Sequence, residues 1–256
     1  MTRNGETETM HETYSQPYLL KTCSCDHMSR WKLSDILVQL QEIAGAQCTE
    51  LGFGRIDLYK QYGVVWVITR TQVNMRRYPV FGETVTLTTY AGKPRRAIYP
   101  RNTLILDAHG DQIGECLSQW VLCSVEDRKM QIVKDVAEHF PAPDLAPAIP
   151  SFMIAPDVSE NPTEETREAV YSDLDVNGHV NNTRYADWLC DSLGIPLLTK
   201  KQISSLVIDY RREIRPGNAI TLRSNRSDDA FSMSGYIGDT LHFDIYGLLS
   251  ERDEQA

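Results

Sequence analysis

Two stretches of this chain lie on each other without a gap. "VNMRRYPVFGETVTLTT" (73–89) matches "IDYRREIRPGNAITLRS" (208–224) at a constant shift of 135 residues. Arg-Arg, Gly and Thr-Leu recur in place, and apolar positions meet apolar ones. Self-similarity of this kind limits the chain to folds in which one unit is built twice.

A helix candidate ending in Leu-Gly precedes each copy. The first spans 33–52, with apolar residues at 33, 36, 37, 40, 43 and 44. The second spans 180–194, with Val180, Tyr185, Trp188 and Leu189 as its apolar side. The spacing is helical, and glycine suits the C-cap of both. Alternating, β-branched segments follow: 63–76, 83–91, 97–107 and 113–124 in the first copy, 203–214, 218–224, 230–237 and 240–249 in the second. These patterns read as antiparallel strands. The predicted unit is a strand, one long helix and a run of strands, so the fold class is α+β. One helix for four or five strands covers only one sheet face, and two units side by side pair their edge strands.

Half of the twelve prolines fall between Pro141 and Pro162. That composition resists helix and sheet and reads as an extended linker. The expected division is a disordered tail at 1–13, a first unit at 14–133, the Pro-rich linker at 134–164, a second unit at 165–250 and a tail at 251–256. Met1 to Thr13 is polar and acidic with no apolar h-region, which reads as a floppy tail on a cytoplasmic protein rather than a signal peptide or membrane anchor. No apolar run approaches the length of a membrane span. The six cysteines show no disulfide-framework spacing, and Cys23-Ser-Cys25 lacks a second Cys/His pair for zinc, so the thiols are expected to be buried or incidental and no metal is expected.

A net charge of −9 argues against nucleic-acid binding. The charge is uneven, however. Arg70, Arg76, Arg77, Lys93, Arg95, Arg96 and Arg101 stand against one acid, Glu83, between 70 and 101. Two readings remain open for this stretch: solvated strand faces, or a surface that steers an acidic partner.

"DLDVNGHVNN" (173–182) sits where a strand-like segment turns into the second helix. Asp175, Asn177 and His179 follow at two-residue intervals, so an extended run puts all three side chains on one face. The unpaired N–H groups of a first helical turn beside them form a site for an oxyanion or a thioester carbonyl. Asp and Asn are also favoured N-caps and Gly178 a normal turn residue, but a cap needs only one such residue.

"DLDVNGHVNNTRYADWL", followed by "LVIDYRREI" (206–214), resembles the acyl-ACP thioesterases of plants and bacteria. "LQEIAG" (40–45), "WVITR" (66–70) and "RRYPVFGETVTL" (76–87) resemble that family's first half. The resemblance covers roughly residues 15 to 250. It implies a tandem double hotdog that hydrolyses the thioester joining a fatty acyl chain to acyl carrier protein, with no metal or cofactor. The family's catalytic residues fall on Asp175, Asn177, His179 and Glu213. Some members carry Cys directly after that Glu; Ile214 stands there, which excludes a Cys–His mechanism at that spot. The implied partner is acyl carrier protein, with neither nucleic acid nor membrane, and the oligomeric state stays open.

Thioester hydrolysis needs an activated water and a stabiliser for the oxyanion. Glu213 is the expected base, because a carboxylate beside an apolar tunnel is raised toward neutral pH. Asn177 and His179 would polarise the carbonyl or orient the water, and Asp175 would hold the histidine or join the water network. The D-x-x-G-H-V-N-N pattern of single-hotdog acyl-CoA thioesterases gives the alternative, in which Asp175 leads and Glu213 assists.

The 135-residue shift puts Glu213 on Tyr78, which is no base at pH 7. Aligning the helix starts puts Asp175 near Asp26, Asn177 near Met28 and His179 near Arg30. The first copy is therefore expected to bind the acyl chain rather than react, with Ile36 and Leu40 setting the preferred length.

Overall fold

The computed structural model describes residues 12–158 and 162–252. The first unit runs β1 (Thr13–Leu19), a 3-10 turn (Thr22–Ser24), α1 (Leu33–Glu50), α2 (Arg55–Tyr62), β2 (Val64–Met75), β3 (Thr84–Ala91), β4 (Tyr99–Leu106), β5 (Gln112–Ser124), a short β6 (Met130–Gln131) and α3 (Lys134–His139). The second runs β7 (Thr163–Glu168), a 3-10 turn (Tyr171–Asp173), α4 (Arg184–Leu193), α5 (Ile195–Lys200), β8 (Lys201–Tyr210), β9 (Ala219–Arg226), β10 (Ala230–Ile237) and β11 (Thr240–Glu251). The expected tails lie for the most part outside the described residues, although Thr13 already belongs to β1.

All strands form one antiparallel sheet in the order β1-β3-β4-β5-β2-β8-β11-β10-β9-β7, with β6 added beside β5. Read from either end, the order is the same unit. The halves meet at β2 and β8, where Gln72 stands opposite Val207. These two are counterparts under the 135-residue shift, so a pseudo-twofold axis passes through that pair. Arg70 and Asp209 pair across the same seam, Nε to Oδ1 at 2.8 Å.

The repeat extends to single backbone hydrogen bonds. Leu20 N–H donates to Glu83 O and Gly82 N–H to Leu20 O, as Ala169 N–H does to Asn218 O and Gly217 N–H to Ala169 O. Trp31 N–H donates to Pro79 O, and Val180 N–H to Ile214 O. The helices differ more. α1 is unbroken, whereas its counterpart stops at Gly194, whose φ of 81° ends α4 before α5 starts at Ile195 with Pro196 in its first turn. The second helix also begins at Arg184, later than expected from Val180.

Leu33, Ile36, Leu37, Leu40 and Ile43 of α1 are buried in one core with Trp188 and Leu189 of α4 and Val73, Ile208 and Phe243 of the sheet. Tyr185 stacks on Phe243 at 4.2 Å and 9°. Complete burial of a ring such as Trp188 or Phe243 contributes roughly 4–6 kcal/mol before ordering costs. The sheet is packed tightly enough that a Cβ on Gly247 would lie 2.1 Å from Ser205 O. α2 has no counterpart in the second unit. With α3 it covers a second cluster in which Trp66, Tyr99 and Phe140 meet edge to face or tilted, with centroids 4.9 to 5.9 Å apart.

The Pro-rich connection is a strap across the sheet face opposite the helices. Val73 and Ile245 point into the helix-side core, so their neighbours Gln72 and Tyr246 face the other way. Gln72 Oε1 accepts from Met153 N–H at 2.7 Å, and Tyr246 OH donates to Met153 O at 3.1 Å. Further along, Tyr90 OH donates to Ala146 O, and Ala148 N–H to Asn102 Oδ1.

Candidate active site

The segment 174–180 is a tight loop, not an extended run. Leu174 and Val180 bridge antiparallel, and Asp175 N–H donates to His179 O at 2.9 Å. Gly178 adopts φ of 73°, which glycine does without a Cβ penalty, and its N–H returns to Asp175 O at 3.0 Å. Asp175 Oδ1 accepts Asn177 N–H at 2.8 Å, and Oδ2 accepts Asn177 Nδ2 at 3.1 Å. An aspartate that bonds two residues ahead and a left-handed glycine make a turn, and that local chemistry overrides the alternation. The three side chains therefore do not share a face.

The Asp175 and Asn177 side chains bond each other, and His179 goes elsewhere. Asp175 is occupied by Asn177. Asn177 Oδ1 accepts from Arg55 Nη2 at 2.9 Å. His179 Nε2 lies 3.1 Å from Glu213 Oε2. The bond from Val180 N–H to Ile214 O, at 2.9 Å, sets the residues just before each, His179 and Glu213, side by side. Glu213 lies just past β8 in a turn pinned by β11: Arg211 and Arg212 N–H both donate to His242 O, and His242 Nδ1 is 3.0 Å from Glu213 O.

Arg128 completes the cluster. It sits at φ of 58° between β5 and β6, and its Nη1 reaches both Glu213 oxygens at 2.5 Å and His179 Nε2 at 3.4 Å. The surroundings of Glu213 are thus ionic and half-open rather than the apolar wall expected, with 48% of the side chain exposed. Burial pushes the Tyr185 hydroxyl well above the ordinary tyrosine range, and the Asp175 and Glu213 carboxylates raise it further. Tyr185 is therefore a neutral hydroxyl within electrostatic reach of both. Sequence reasoning missed Arg55, Arg128 and His242, which no local pattern marks.

Two of the N–H donors at the start of α4, expected to form an oxyanion site, are already used. Thr183 N–H donates to Asn181 Oδ1 and Arg184 N–H to Asn181 O, each at 2.9 Å.

The first unit repeats the loop without its chemistry. Asp26 N–H donates to Arg30 O, Met28 N–H to Asp26 Oδ1, and Ser29 takes φ of 62°. Arg30, at the histidine position, pairs with Asp26 at 3.0 Å and donates to Leu198 O at 3.2 Å. Tyr78, at the glutamate position, is buried and donates to Ile203 O at 2.9 Å.

A cleft of about 580 Å³ runs between α1 and the sheet of the first unit, walled by Ala44, Gly45 and Cys48 of α1 and by Trp66, Tyr99 and Trp120. None of the four predicted catalytic residues lines it. Arg55 does, and its bond to Asn177 joins the cleft to the loop. Ile36 and Leu40, expected to set chain length, belong to the core instead.

Most of the basic stretch is ion-paired within the molecule, although Arg76 and Lys93 remain exposed. Arg70 pairs with Asp209, Arg76 with Glu115, Arg77 with Glu83 and Asp107, and Lys93 with Asp144, while Arg101 is buried. Arg95 and Arg96 are exposed.

A family model described as "Acyl-ACP thioesterase N-terminal domain" matches residues 11–140, and one described as "Acyl-ACP thioesterase C-terminal domain" matches 158–240. The chain belongs to the acyl-ACP thioesterase family. A chloroplastic acyl-[acyl-carrier-protein] hydrolase of Cuphea viscosissima is 31% identical over 185 residues, which is 68% of this chain and 44% of that protein. The chain thus spans less than half the length of that relative. Among solved structures, an acyl-ACP thioesterase from Bacteroides thetaiotaomicron superposes with a TM-score of 0.84 at 22% identity, covering 93% of this chain and 98% of that one. The 12:0-ACP thioesterase from Umbellularia californica gives 0.84 at 19% identity, covering 98% and 100%. Both share the fold, so this acyl-ACP thioesterase family member is a tandem double hotdog of α+β class. Among the described residues, no helix is long and apolar enough to cross a membrane.

Proposed function

We propose that this protein hydrolyses the thioester of fatty acyl-acyl carrier protein, releasing free fatty acid and ending chain elongation. The observation that carries the reading is the pairing of His179 with Glu213 at 3.1 Å, in a chain of this family and on a loop joined through Asn177 and Arg55 to a cleft that could take an acyl chain. Glu213 takes a proton from a water whose oxygen attacks the carbonyl carbon, and His179 orients that water. The carbonyl electron pair moves to oxygen, where the second Nδ2 hydrogen of Asn177 and the Arg55 guanidinium favour the negative charge. The tetrahedral species collapses, the C–S bond breaks, and the carrier thiolate recovers the proton from Glu213. One thioester and one water give one carboxylic acid and one thiol. Asp175 shapes the loop through Asn177 rather than holding His179, which favours Glu213 over Asp175 as base.

In this reading the second unit reacts and the first holds the acyl chain. The cleft walls on α1, β2, β4 and β5 support that division. The partner is acidic acyl carrier protein, and Arg95 and Arg96, together with the exposed Lys93, are the part of the basic stretch that would meet it. Six free cysteines fit a reducing compartment such as the cytoplasm.

Thiol release from matched acyl-ACP and acyl-CoA panels, eight to eighteen carbons long, tests the proposal. Turnover preferring acyl-ACP is expected. Turnover of acyl-CoA alone would make it an acyl-CoA thioesterase, and tight acyl binding without thiol release would make it a non-enzymatic acyl-binding protein.

A further inference from the structure

The cleft contains two buried polar groups that an alkyl chain would not satisfy. Tyr99 and Arg101 lie two residues apart on β4, so their side chains leave the same face of the sheet, and both line the cleft. Tyr99 is 3% exposed, and among the described residues its hydroxyl has no hydrogen-bond partner. Arg101 is 5% exposed. Its guanidinium donates to Gln47 Oε1 at 2.6 Å, to Thr89 Oγ1 at 3.2 Å and to Cys48 Sγ at 3.4 Å. These acceptors are neutral, and among the described residues no carboxylate pairs with it. Burial holds the Arg101 pKa below the ordinary arginine range, opposed only by Cys48.

A buried charge is ordinarily paired, and a buried hydroxyl ordinarily finds an acceptor, because leaving either unmet costs free energy. Tyr99 lacks an acceptor, while Arg101, hydrogen-bonded and with its guanidinium 5.9 Å from the Phe140 ring centroid, lacks a counter-charge; one anionic group would supply both. Around them the wall combines the rings of Trp66, Trp120 and Phe140 with the polar side chains of Gln41, Glu42, Thr49 and Arg55. We propose that Tyr99 and Arg101 receive an oxygen-bearing far end of the acyl chain, best a carboxylate, so that the cleft prefers ω-carboxylated acyl groups to plain alkyl chains of the same length. The inference rests on reading the cleft as the acyl site.

The test measures binding without turnover, so that it fails separately from the hydrolase reading. The probes are N-methylamides of a plain fatty acid and of the ω-carboxylated acid of equal length, titrated over a range of lengths. Quenching of tryptophan fluorescence reports on Trp66 and Trp120 in the wall. The full chain should bind the ω-carboxylated probe at least tenfold more tightly at its best length. Arg101→Met should abolish that preference, and Tyr99→Phe should reduce it. Equal affinities in the unaltered protein, or a preference that survives Arg101→Met, would overturn the proposal. Tyr99→Phe removes one unpartnered oxygen and keeps the ring, so it decides the matter if Arg101→Met fails to fold. A positive result in a protein that hydrolyses no thioester would retain this binding site and dismiss the hydrolase.

Discussion

His179 and Glu213 approach within 3.1 Å because one backbone bond, from Val180 to Ile214, lays the loop against the turn that ends β8. Neither residue owes its place to its own element alone. Glu213→Gln keeps the shape and removes the proton acceptor, so kcat should fall by on the order of 10²-fold or more, with KM little changed. Initial rates of thiol release measure it. Near-normal turnover would shift the base to Asp175.

Tyr78→Phe, at the position equivalent to Glu213, should leave turnover intact. It removes the donor to Ile203 O, however, and a buried carbonyl left without its bond costs about 1–3 kcal/mol. Urea denaturation should show that loss while steady-state kinetics stay level. Abolished hydrolysis would make the first unit catalytic too.

The expected handle on chain length has moved along α1. Gly45 lines the cleft, and a Cβ there meets nothing within 4 Å. Gly45→Leu should shorten the preferred acyl chain, because each methylene displaced loses about 0.8 kcal/mol of burial. Leu40→Ala, by contrast, should cost about 2–5 kcal/mol of stability without changing the order of preference. Competition among acyl-ACPs of mixed length reads both variants.

Arg95→Glu combined with Arg96→Glu should raise KM for acyl-ACP and spare small thioesters. Added salt should weaken the unaltered protein toward acyl-ACP in the same direction. If both substrate types suffer equally, the arginines serve folding rather than docking.

Thiol chemistry offers a check independent of substrate. Burial pushes the Cys116 thiol far up and the Cys190 thiol up to about 12, so both stay protonated at pH 8. Cys23 is exposed. Iodoacetamide at pH 8 should label Cys23 first, leave Cys116 and Cys190 unmodified, and not reduce turnover; peptide mass mapping locates the label.

The repeat was legible because it is written in local signals: the Arg-Arg, Gly and Thr-Leu positions and the helical spacing of α1. The pair His179 and Glu213 was reachable through the resemblance. The shape of the loop was not, since alternate spacing at Asp175, Asn177 and His179 suggests a strand until the left-handed Gly178 and the Asp175 side chain close it. Arg55 and Arg128 come from the other unit, and contacts between distant segments leave no period in a sequence. Gly45 and Cys48 gave no sign of the cleft either, because a helix face beside a cleft looks like any half-polar face.

The Gln72–Val207 pair carries a consequence for how such a molecule can change. Were the two units separate chains, their seam would dissolve on dilution, and each substitution would appear on both sides of the axis at once. A tether holds the second unit near the first at an effective concentration on the order of millimolar, so assembly no longer depends on abundance. It also frees each side from the other. Position 78 can hold a buried phenol while position 213 keeps a carboxylate, so each unit can take on a task that the other does not share.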